Sequence, residues 1–353
     1  GHSRQSALLL LARSAVQSSL PERAAYWYES LLKESTEGNR EHFKEFVQWN
    51  LRSSRFDKVL QLVRKFRQEK RITHAILLAE TICAAHIAPH LTKGGNKPLA
   101  NTSQHQSLIT LLDELLTTGS TVKPIGGLTE MYVELLCCPG VANSKSKLIE
   151  LAKRLESSPA FDWRAARALG SALAFVFDAD ADVMKMSQDL IEAAKRLARS
   201  PVVRMRLEAF SAFLLSRKSY FSKKRVSGTK AREKIALLRQ RADEFGKEEQ
   251  NFLRVMQAFI NCHSNHEKGN LKATILKCED SLKGLEVDKL SPETSRWYYL
   301  AKAELAVDKG KTSEAAELYK QAFLLSQLHQ RPFVRTRIVV SSLLPLLGHE
   351  GGY

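Results

Sequence analysis

The sequence predicts an all-α fold in which antiparallel helix hairpins are stacked in order along the chain. Nearly every segment places apolar residues at positions i, i+3, i+4 and i+7, and almost none alternates apolar with polar residues as strands do. Turn and capping residues interrupt this pattern at short intervals, and Pro21, Pro201 and Pro292 each stand where a helix would begin. Helices joined by short turns pack as antiparallel neighbours.

The periodicity predicts seventeen helices, most of them separated by only a few residues. The predicted helices cover residues 4–18, 21–35, 39–54, 56–70, 72–88, 104–118, 128–138, 143–157, 162–177, 181–199, 201–218, 229–247, 249–264, 268–285, 292–309, 312–327 and 330–347.

Two predicted connections are longer than a hairpin turn requires. Residues 92–104 are rich in Gly, Asn and Pro, and residues 219–229 are basic with one Gly. The second connection predicts a division of the chain into three parts: an amino-terminal helical-repeat array at 1–218, a basic linker at 219–228 and a carboxy-terminal repeat array at 229–353.

Composition indicates a folded protein with a strongly basic surface. The chain has 353 residues, of which 44% are hydrophobic and 26% charged, unlike the low-hydrophobicity balance of disordered chains. Its 54 Lys and Arg against 38 Asp and Glu give a formal charge of +16. Such a charge attracts nucleic acid, an anionic membrane surface or an acidic protein, and it also serves solubility.

Cysteine usage and hydropathy bear on the compartment. The five cysteines are odd in number and scattered, which favours a reducing compartment, so a cytoplasmic location is expected. No run approaches the ~20 apolar residues of a membrane-spanning helix. The chain opens Gly-His-Ser without Met, which suggests a domain excised from a longer protein.

The stretch GKTSEAAELYKQAF at 310–323 begins like the end of a phosphate-binding loop. That loop needs a glycine at position 305, where this chain has Leu305, and a strand before it, where this chain has a helical segment. The stretch resembles the tetratricopeptide repeat, which uses aromatic, small and turn residues at fixed positions. The matching residues are Tyr299, Ala303, Ala306, Gly310, Ala315, Tyr319 and Ala322.

Two looser copies of the same pattern are found elsewhere. One lies at residues 41–66, where Ser54 replaces the turn glycine and bulkier residues replace the small ones; it comprises Phe43, Phe46, Val47, Phe56, Val59, Val63 and Phe66. The other passes through Cys262, Gly269, Thr274, Cys278 and Ser281. The resemblance implies a tetratricopeptide-like α-solenoid, wound as a right-handed superhelix.

Members of that family are interaction scaffolds. The resemblance therefore implies a non-enzymatic adaptor that binds a partner segment on the concave face, which is formed by the first helix of each hairpin. A basic concave face would favour an acidic partner. The candidate contacts are the polar residues Lys44, Gln48, Asn50, Arg296, Lys302 and Glu304.

A competing hypothesis is nucleic-acid binding by the segment at 217–234. Cations there surround Tyr220 and Phe221, and cations neutralise phosphates while aromatic rings stack on bases. The patch consists of Arg217, Lys218, Lys223, Lys224, Arg225, Lys230, Arg232 and Lys234. A third possibility is a regulatory domain for a sensor or enzyme located elsewhere in a longer chain.

No motif predicts catalysis, a cofactor or a metal. Nucleophile-elbow, zinc-protease and dinucleotide-binding motifs are absent from the sequence. The spacing of the Cys and His residues within 262–278 fits no common zinc site. The acidic run at 178–182 lacks the glycine and glutamate of a calcium loop, because Val183 and Asp189 occupy those positions.

Overall fold

The part of the chain that the structure describes is almost entirely α-helical. The computed structural model describes residues 2–36, 39–92, 102–118, 126–137, 141–158, 161–176, 181–222, 225–264 and 271–328. Within these ranges it forms sixteen α-helices and two short 3₁₀ turns, with no β-strand. The all-α prediction is confirmed. The predicted helix at 330–347 lies outside the described residues.

The helices belong to two compact units, Gly1–Val141 and Ala142–Tyr353. The first unit contains α1 His2–Gln17, α2 Pro21–Glu34, α3 Arg40–Arg52, α4 Phe56–Gln68, α5 Ile72–Thr92, α6 Ser103–Thr118 and α7 Gly126–Leu136. The second contains α8 Ser144–Glu156, α9 Trp163–Val176, α10 Ala181–Leu197, α11 Pro201–Ser222, α12 Arg225–Gln240, α13 Lys247–Ser264, α14 Leu271–Leu282, α15 Pro292–Asp308 and α16 Thr312–Leu328.

The basic segment at 219–229 is mostly helical. Helix α11 continues to Ser222 and α12 begins at Arg225, so the expectation of a loop there is wrong. Lys and Arg are good helix formers, and the segment contains no proline to end a helix. The compact units divide between Val141 and Ala142. A boundary between two repeat arrays at 219–228 stays a prediction.

In the first unit, α3 and α4 form a hairpin that packs on α5. The seven apolar residues that carry the repeat resemblance at 41–66 are all buried, at 4% exposure or less. The turn between the two helices places Ser54 in the left-handed region, with φ of +56°. Serine therefore occupies the backbone conformation that glycine adopts most easily.

In the second unit, consecutive helices pair as the hairpins α9/α10, α11/α12, α13/α14 and α15/α16. The first helices of the last three hairpins also contact one another, α11 against α13 and α13 against α15. The second helix of each hairpin contacts the first helix of the next, as α12 does with α13. One core cluster accordingly extends from α9 to α16.

Helices α9 and α10 approach each other closely at Gly170. A Cβ atom placed there would lie 3.0 Å from the carbonyl oxygen of Ser187 and 3.0 Å from Cδ1 of Ile191. The Ser187 hydroxyl donates a hydrogen bond of 2.6 Å to the carbonyl oxygen of Gly170. A side chain at 170 would therefore require Ile191 and the backbone at Ser187 to shift by a few tenths of an ångström.

The hairpin of α15 and α16 places the strongest repeat signature in the core. Ala303, Ala306, Ala315 and Ala322 are buried, and Tyr319 is 1% exposed. The reversal between the helices uses Gly310 at φ of +72°. The tight turn predicted from the sequence is confirmed.

The first unit also contains an ion pair between distant helices. Arg13 of α1 donates to Glu45 of α3 through Nε at 2.8 Å and Nη2 at 2.7 Å, and Tyr28 of α2 donates to the same carboxylate at 2.9 Å. The hydrogen bond from Arg13 is the main cause that lowers the pKa of Glu45; burial opposes it and the Tyr28 hydroxyl adds to it. The carboxylate of Glu45 thus connects α1, α2 and α3.

We expect Gly310→Ala to destabilise the protein by roughly 1–2 kcal/mol, because a Cβ atom is disfavoured in the left-handed region. The space around Gly310 is open, so backbone strain is the only cost of the added methyl group. Ser54→Gly relieves the same strain and should not lower stability. Urea denaturation measures both; equal losses in the two variants would contradict the assignment of left-handed turns.

Glu45→Gln should remove part of the acid dependence of stability. A carboxyl whose pKa is lowered by folding stabilises the protein above its unfolded value of about 4.3, and this contribution is lost as the pH falls through the folded value. The variant should be less stable than wild type at pH 7, and the difference should disappear as the pH falls through the folded pKa of Glu45. Glu41→Gln, at an exposed carboxylate that pairs with Lys44 on its own helix, is the control and should retain the wild-type pH profile in urea titrations.

Candidate functional site

A cavity of about 250 Å³ lies in the second unit, on α9, α11, α13 and α15. These are the first helices of the four hairpins. The walls are mainly aromatic and aliphatic, with two arginines and one glutamate among them. The aromatic rings that line the cavity are Trp163, Phe210, Phe252 and Trp297.

Helical spacing explains why each of these helices contributes more than one side chain. On α9, Trp163, Arg167 and Ser171 follow one another at intervals of four residues, so they lie on one face. The same interval separates Phe252 from Met256 on α13 and Glu293 from Trp297 on α15. Each helix therefore presents one stripe to the cavity.

Arg206 of α11 joins three helices at the cavity wall. Its Nη1 lies 2.8 Å from Oε2 of Glu293 on α15, and its Nη2 lies 3.1 Å from Oε1 of Glu249 on α13. Its guanidinium carbon lies 5.1 Å from the centre of the Phe252 ring. Planar arginine suits this combination of paired carboxylates and a ring face. Two carboxylates offset the charge of Arg206.

Two further arginines lie against tryptophans at this site. The guanidinium carbon of Arg167 is 5.2 Å from the centre of the Trp163 ring, and that of Arg296 is 6.0 Å from the Trp297 ring. Arg296 Nη2 lies 4.0 Å from Glu293 Oε1. Arg167, Arg206 and Glu293 are thus the charged residues of the cavity lining, and Arg296 and Glu249 lie beside it.

Three rings form the support beneath the cavity. Phe213 of α11, Phe259 of α13 and Trp297 of α15 lie with ring centres 5.2–5.7 Å apart. Two of the three contacts are edge-to-face, the arrangement that aromatic quadrupoles favour. Because Trp297 belongs both to this group and to the cavity wall, the shape of the cavity depends on the core beneath it.

The size and lining of the cavity indicate what it can hold. Pockets that enclose a small molecule or cofactor usually measure about 300–1,000 Å³, so this one is slightly small for that purpose. Its apolar rings can bury an aliphatic or aromatic side chain. The arrangement suits binding a side chain of a polypeptide.

Three of the contacts expected from the sequence lie on α3 of the first unit. Gln48 is exposed, and Lys44 is partly exposed with its Nζ 2.6 Å from Oε1 of Glu41. Asn50 is 2% exposed and donates a hydrogen bond of 2.9 Å to the carbonyl oxygen of Phe46. Asn50 therefore serves its own helix, and we leave it out of any binding surface.

The other three expected contacts lie on α15. Arg296 is 6% exposed and lies at the edge of the cavity. Lys302 is partly exposed, with its Nζ 6.0 Å from the Tyr298 ring. Glu304 accepts a hydrogen bond of 2.8 Å from the Tyr319 hydroxyl, which joins α15 to α16. Only Arg296 adjoins the cavity.

The basic patch is only partly described. The side chains of Arg217, Lys218, Lys223, Lys224 and Arg225 lie outside the described residues. Lys230 is exposed, and Arg232 donates to Thr229 at 3.2 Å. Lys234 lies 2.7 Å from a carboxylate oxygen of Glu208 and 3.1 Å from the Ser211 hydroxyl. Lys234 is thus paired within the fold.

The described residues were also searched for a metal site and for a membrane-spanning helix, neither of which the sequence predicts. Within those ranges, no three His, Cys, Asp or Glu side chains converge to hold a metal ion. His263 and His266 have side chains outside those ranges, as does most of the acidic run at 178–182. In the same parts of the chain, no helix combines the length and apolarity needed to span a bilayer.

No protein-family model matches the chain, and no curated protein is significantly similar to it in sequence. Any functional proposal for the protein therefore rests on its fold and on the cavity.

Sequence reasoning missed most of the cavity. Trp163, Arg167, Arg206, Phe252 and Glu293 were not among the expected contacts, which were polar residues chosen on two repeat-like segments. One signal was present in the sequence: aromatic and charged residues four apart recur near the starts of alternate helices. Nothing in that signal shows that four such helices converge.

We expect Phe213→Ala to destabilise the second unit by about 3–5 kcal/mol, because it removes one of the three mutually contacting rings and leaves a cavity. Val203→Ala changes a partly buried residue of the cavity lining and should cost less than about 1 kcal/mol. Urea denaturation followed by tryptophan fluorescence measures both. Similar losses in the two variants would mean that the rings do not support the site.

Proposed function

We propose that the protein is a non-enzymatic interaction scaffold of the tetratricopeptide-like class that binds a partner polypeptide. The proposal takes the cavity on α9, α11, α13 and α15 as the place where a side chain of the partner is anchored. The single observation that carries it is that the cavity lies on the first helices of successive hairpins, the face that such scaffolds use for binding.

The packing of the second unit supports the class. In a tetratricopeptide-like array, the first helix of each repeat contacts its own partner and the first helix of the next repeat. Helices α11, α13 and α15 have these contacts, and each also meets the second helix of the preceding hairpin. The repeat signature in α15 and α16 occupies buried positions. A right-handed superhelix belongs to the same proposal.

The chemistry of the cavity favours an acidic segment with one apolar anchor. The four rings provide apolar contact for a leucine, methionine or aromatic side chain. The net positive charge of the second unit favours a neighbouring Asp or Glu. Residues 142–353 contain 37 Lys and Arg against 25 Asp and Glu, so most of the net charge of +16 belongs to this part of the chain. A long-range field of this sign accelerates the approach of acidic segments.

The expected effect of blocking the cavity follows from the area that the anchor buries. Complete burial of one large apolar side chain contributes about 1.5–3 kcal/mol. That range corresponds to roughly a tenfold to hundredfold change in affinity. Loss of one exposed ion pair would change the affinity much less.

The experiment is selection of a random-peptide phage library on the full chain, followed by affinity measurements with synthetic versions of the enriched peptides. We expect an enriched motif with one apolar or aromatic residue next to Asp or Glu. Val203→Arg and Ser171→Arg, which place long side chains in the cavity lining, should weaken binding of these peptides tenfold or more.

The matched control is Leu237→Arg, at an exposed leucine of α12 that does not line the cavity. This variant carries the same added charge and should bind as wild type does. Equal binding by all variants, or no enriched motif, would contradict the proposal. Circular dichroism of each variant checks that the helices remain folded.

Nucleic-acid binding is the second candidate function. It predicts that labelled single-stranded RNA or duplex DNA binds with an affinity that falls steeply with salt. The charge reversal Lys223→Glu, Lys224→Glu and Arg225→Glu should then abolish binding, while Val203→Arg leaves it unchanged. The pairing of Lys234 with Glu208 removes one cation from the patch, so we place this function second.

A further inference from the structure

Two of the five cysteines lie against each other in the core of the second unit. Cys262 of α13 and Cys278 of α14 have their Sγ atoms 3.0 Å apart, and they are 3% and 0% exposed. The repeat pattern explains small residues at both positions. It does not require that both be cysteine or that the two sulfurs meet.

We propose that Cys262 and Cys278 are a redox-active pair that closes to an intramolecular disulfide and covalently joins α13 to α14. A disulfide bond is ~2.05 Å long, so the two sulfurs need to approach by only about 1 Å. The hairpin already holds the two helices side by side. This inference is independent of the proposed partner binding.

The oxidant is a peroxide, or a small disulfide such as oxidised glutathione. With peroxide, the thiolate sulfur of one cysteine attacks a peroxide oxygen, the O–O bond breaks, and a sulfenic acid forms with loss of water. The second sulfur then attacks the sulfenic sulfur, its proton leaves with the hydroxyl group as a second water, and the S–S bond forms. Two thiols and one hydrogen peroxide yield one disulfide and two waters.

The surroundings of the pair slow this reaction in the folded protein. The thiol of Cys262 donates a hydrogen bond to Cys278, whose thiol donates to the carbonyl oxygen of Ala258 at 3.4 Å. The bond to Cys278, burial, and the carboxylates of Asp308 and Glu304 raise the pKa of Cys262. Little thiolate is present near neutral pH, so the reaction should be faster at higher pH.

The pair lies in a small apolar cluster with Leu305 of α15 and Ile275 of α14. Cys83 and Cys137 are buried in the first unit, and Cys138 lies outside the described residues. Replacing these three leaves Cys262 and Cys278 as the two remaining thiols of the chain.

The test uses the full chain with Cys83→Ser, Cys137→Ser and Cys138→Ser, which leaves only the proposed pair. After native incubation with hydrogen peroxide, we expect the intact mass to fall by two hydrogen atoms and both free thiols to disappear. Dithiothreitol should reverse both changes. Adding Cys278→Ser should abolish the mass loss. Closure should raise the melting temperature by roughly 5–10 °C.

Wild-type protein provides a second measurement if the triple variant folds poorly. Trypsin without reductant should release residues 255–268 linked to residues 278–283, because cleavage sites at Arg254, Lys268, Lys277 and Lys283 flank the two cysteines. Thiols that persist in native protein while the same chain oxidises in guanidinium would overturn the proposal. So would a bond from either cysteine to a different partner, or linkage only between two chains.

Discussion

The contact among Phe213, Phe259 and Trp297 is the interaction on which the second unit depends. One ring comes from each of three alternate helices, so the contact sets the spacing of α11, α13 and α15. Large rings alone would hold these helices apart. Alanines around them, such as Ala212, Ala258 and Ala301, are fully buried and allow the backbones to approach.

The cavity follows from the same arrangement. Trp297 belongs both to the three-ring contact and to the cavity wall, so the two share one boundary. Arg206, also in the wall, pairs with carboxylates on two neighbouring helices. A buried or half-buried ion pair contributes little net stability after desolvation. These ion pairs join α11 to α13 and α15 beside the cavity.

Polar side chains elsewhere stabilise the fold through hydrogen bonds that their sequence positions do not reveal; Asn50 is buried and Glu304 is partly buried. Asn50 and Glu304 are polar residues on repeat-like helices, and both resemble surface contacts in the sequence. Asn50 donates a hydrogen bond to a carbonyl oxygen of its own helix, and Glu304 accepts one from the hydroxyl of Tyr319 on the next helix. A polar residue on the first helix of a hairpin is therefore a weak indicator of a binding surface unless its hydrogen-bond partners are known.

The sequence by itself determined the helices, the hairpin turns and the buried faces of this protein, because these depend on local periodicity and on residues such as Gly310 that suit one backbone conformation. It also placed Tyr319 and the phenylalanines of 41–66 in the core. Only the tertiary structure decided that Trp163, Phe252 and Trp297 share one cavity and that Cys262 meets Cys278. Those contacts join residues far apart in the chain, and they depend on how the helices pack, which local periodicity does not specify.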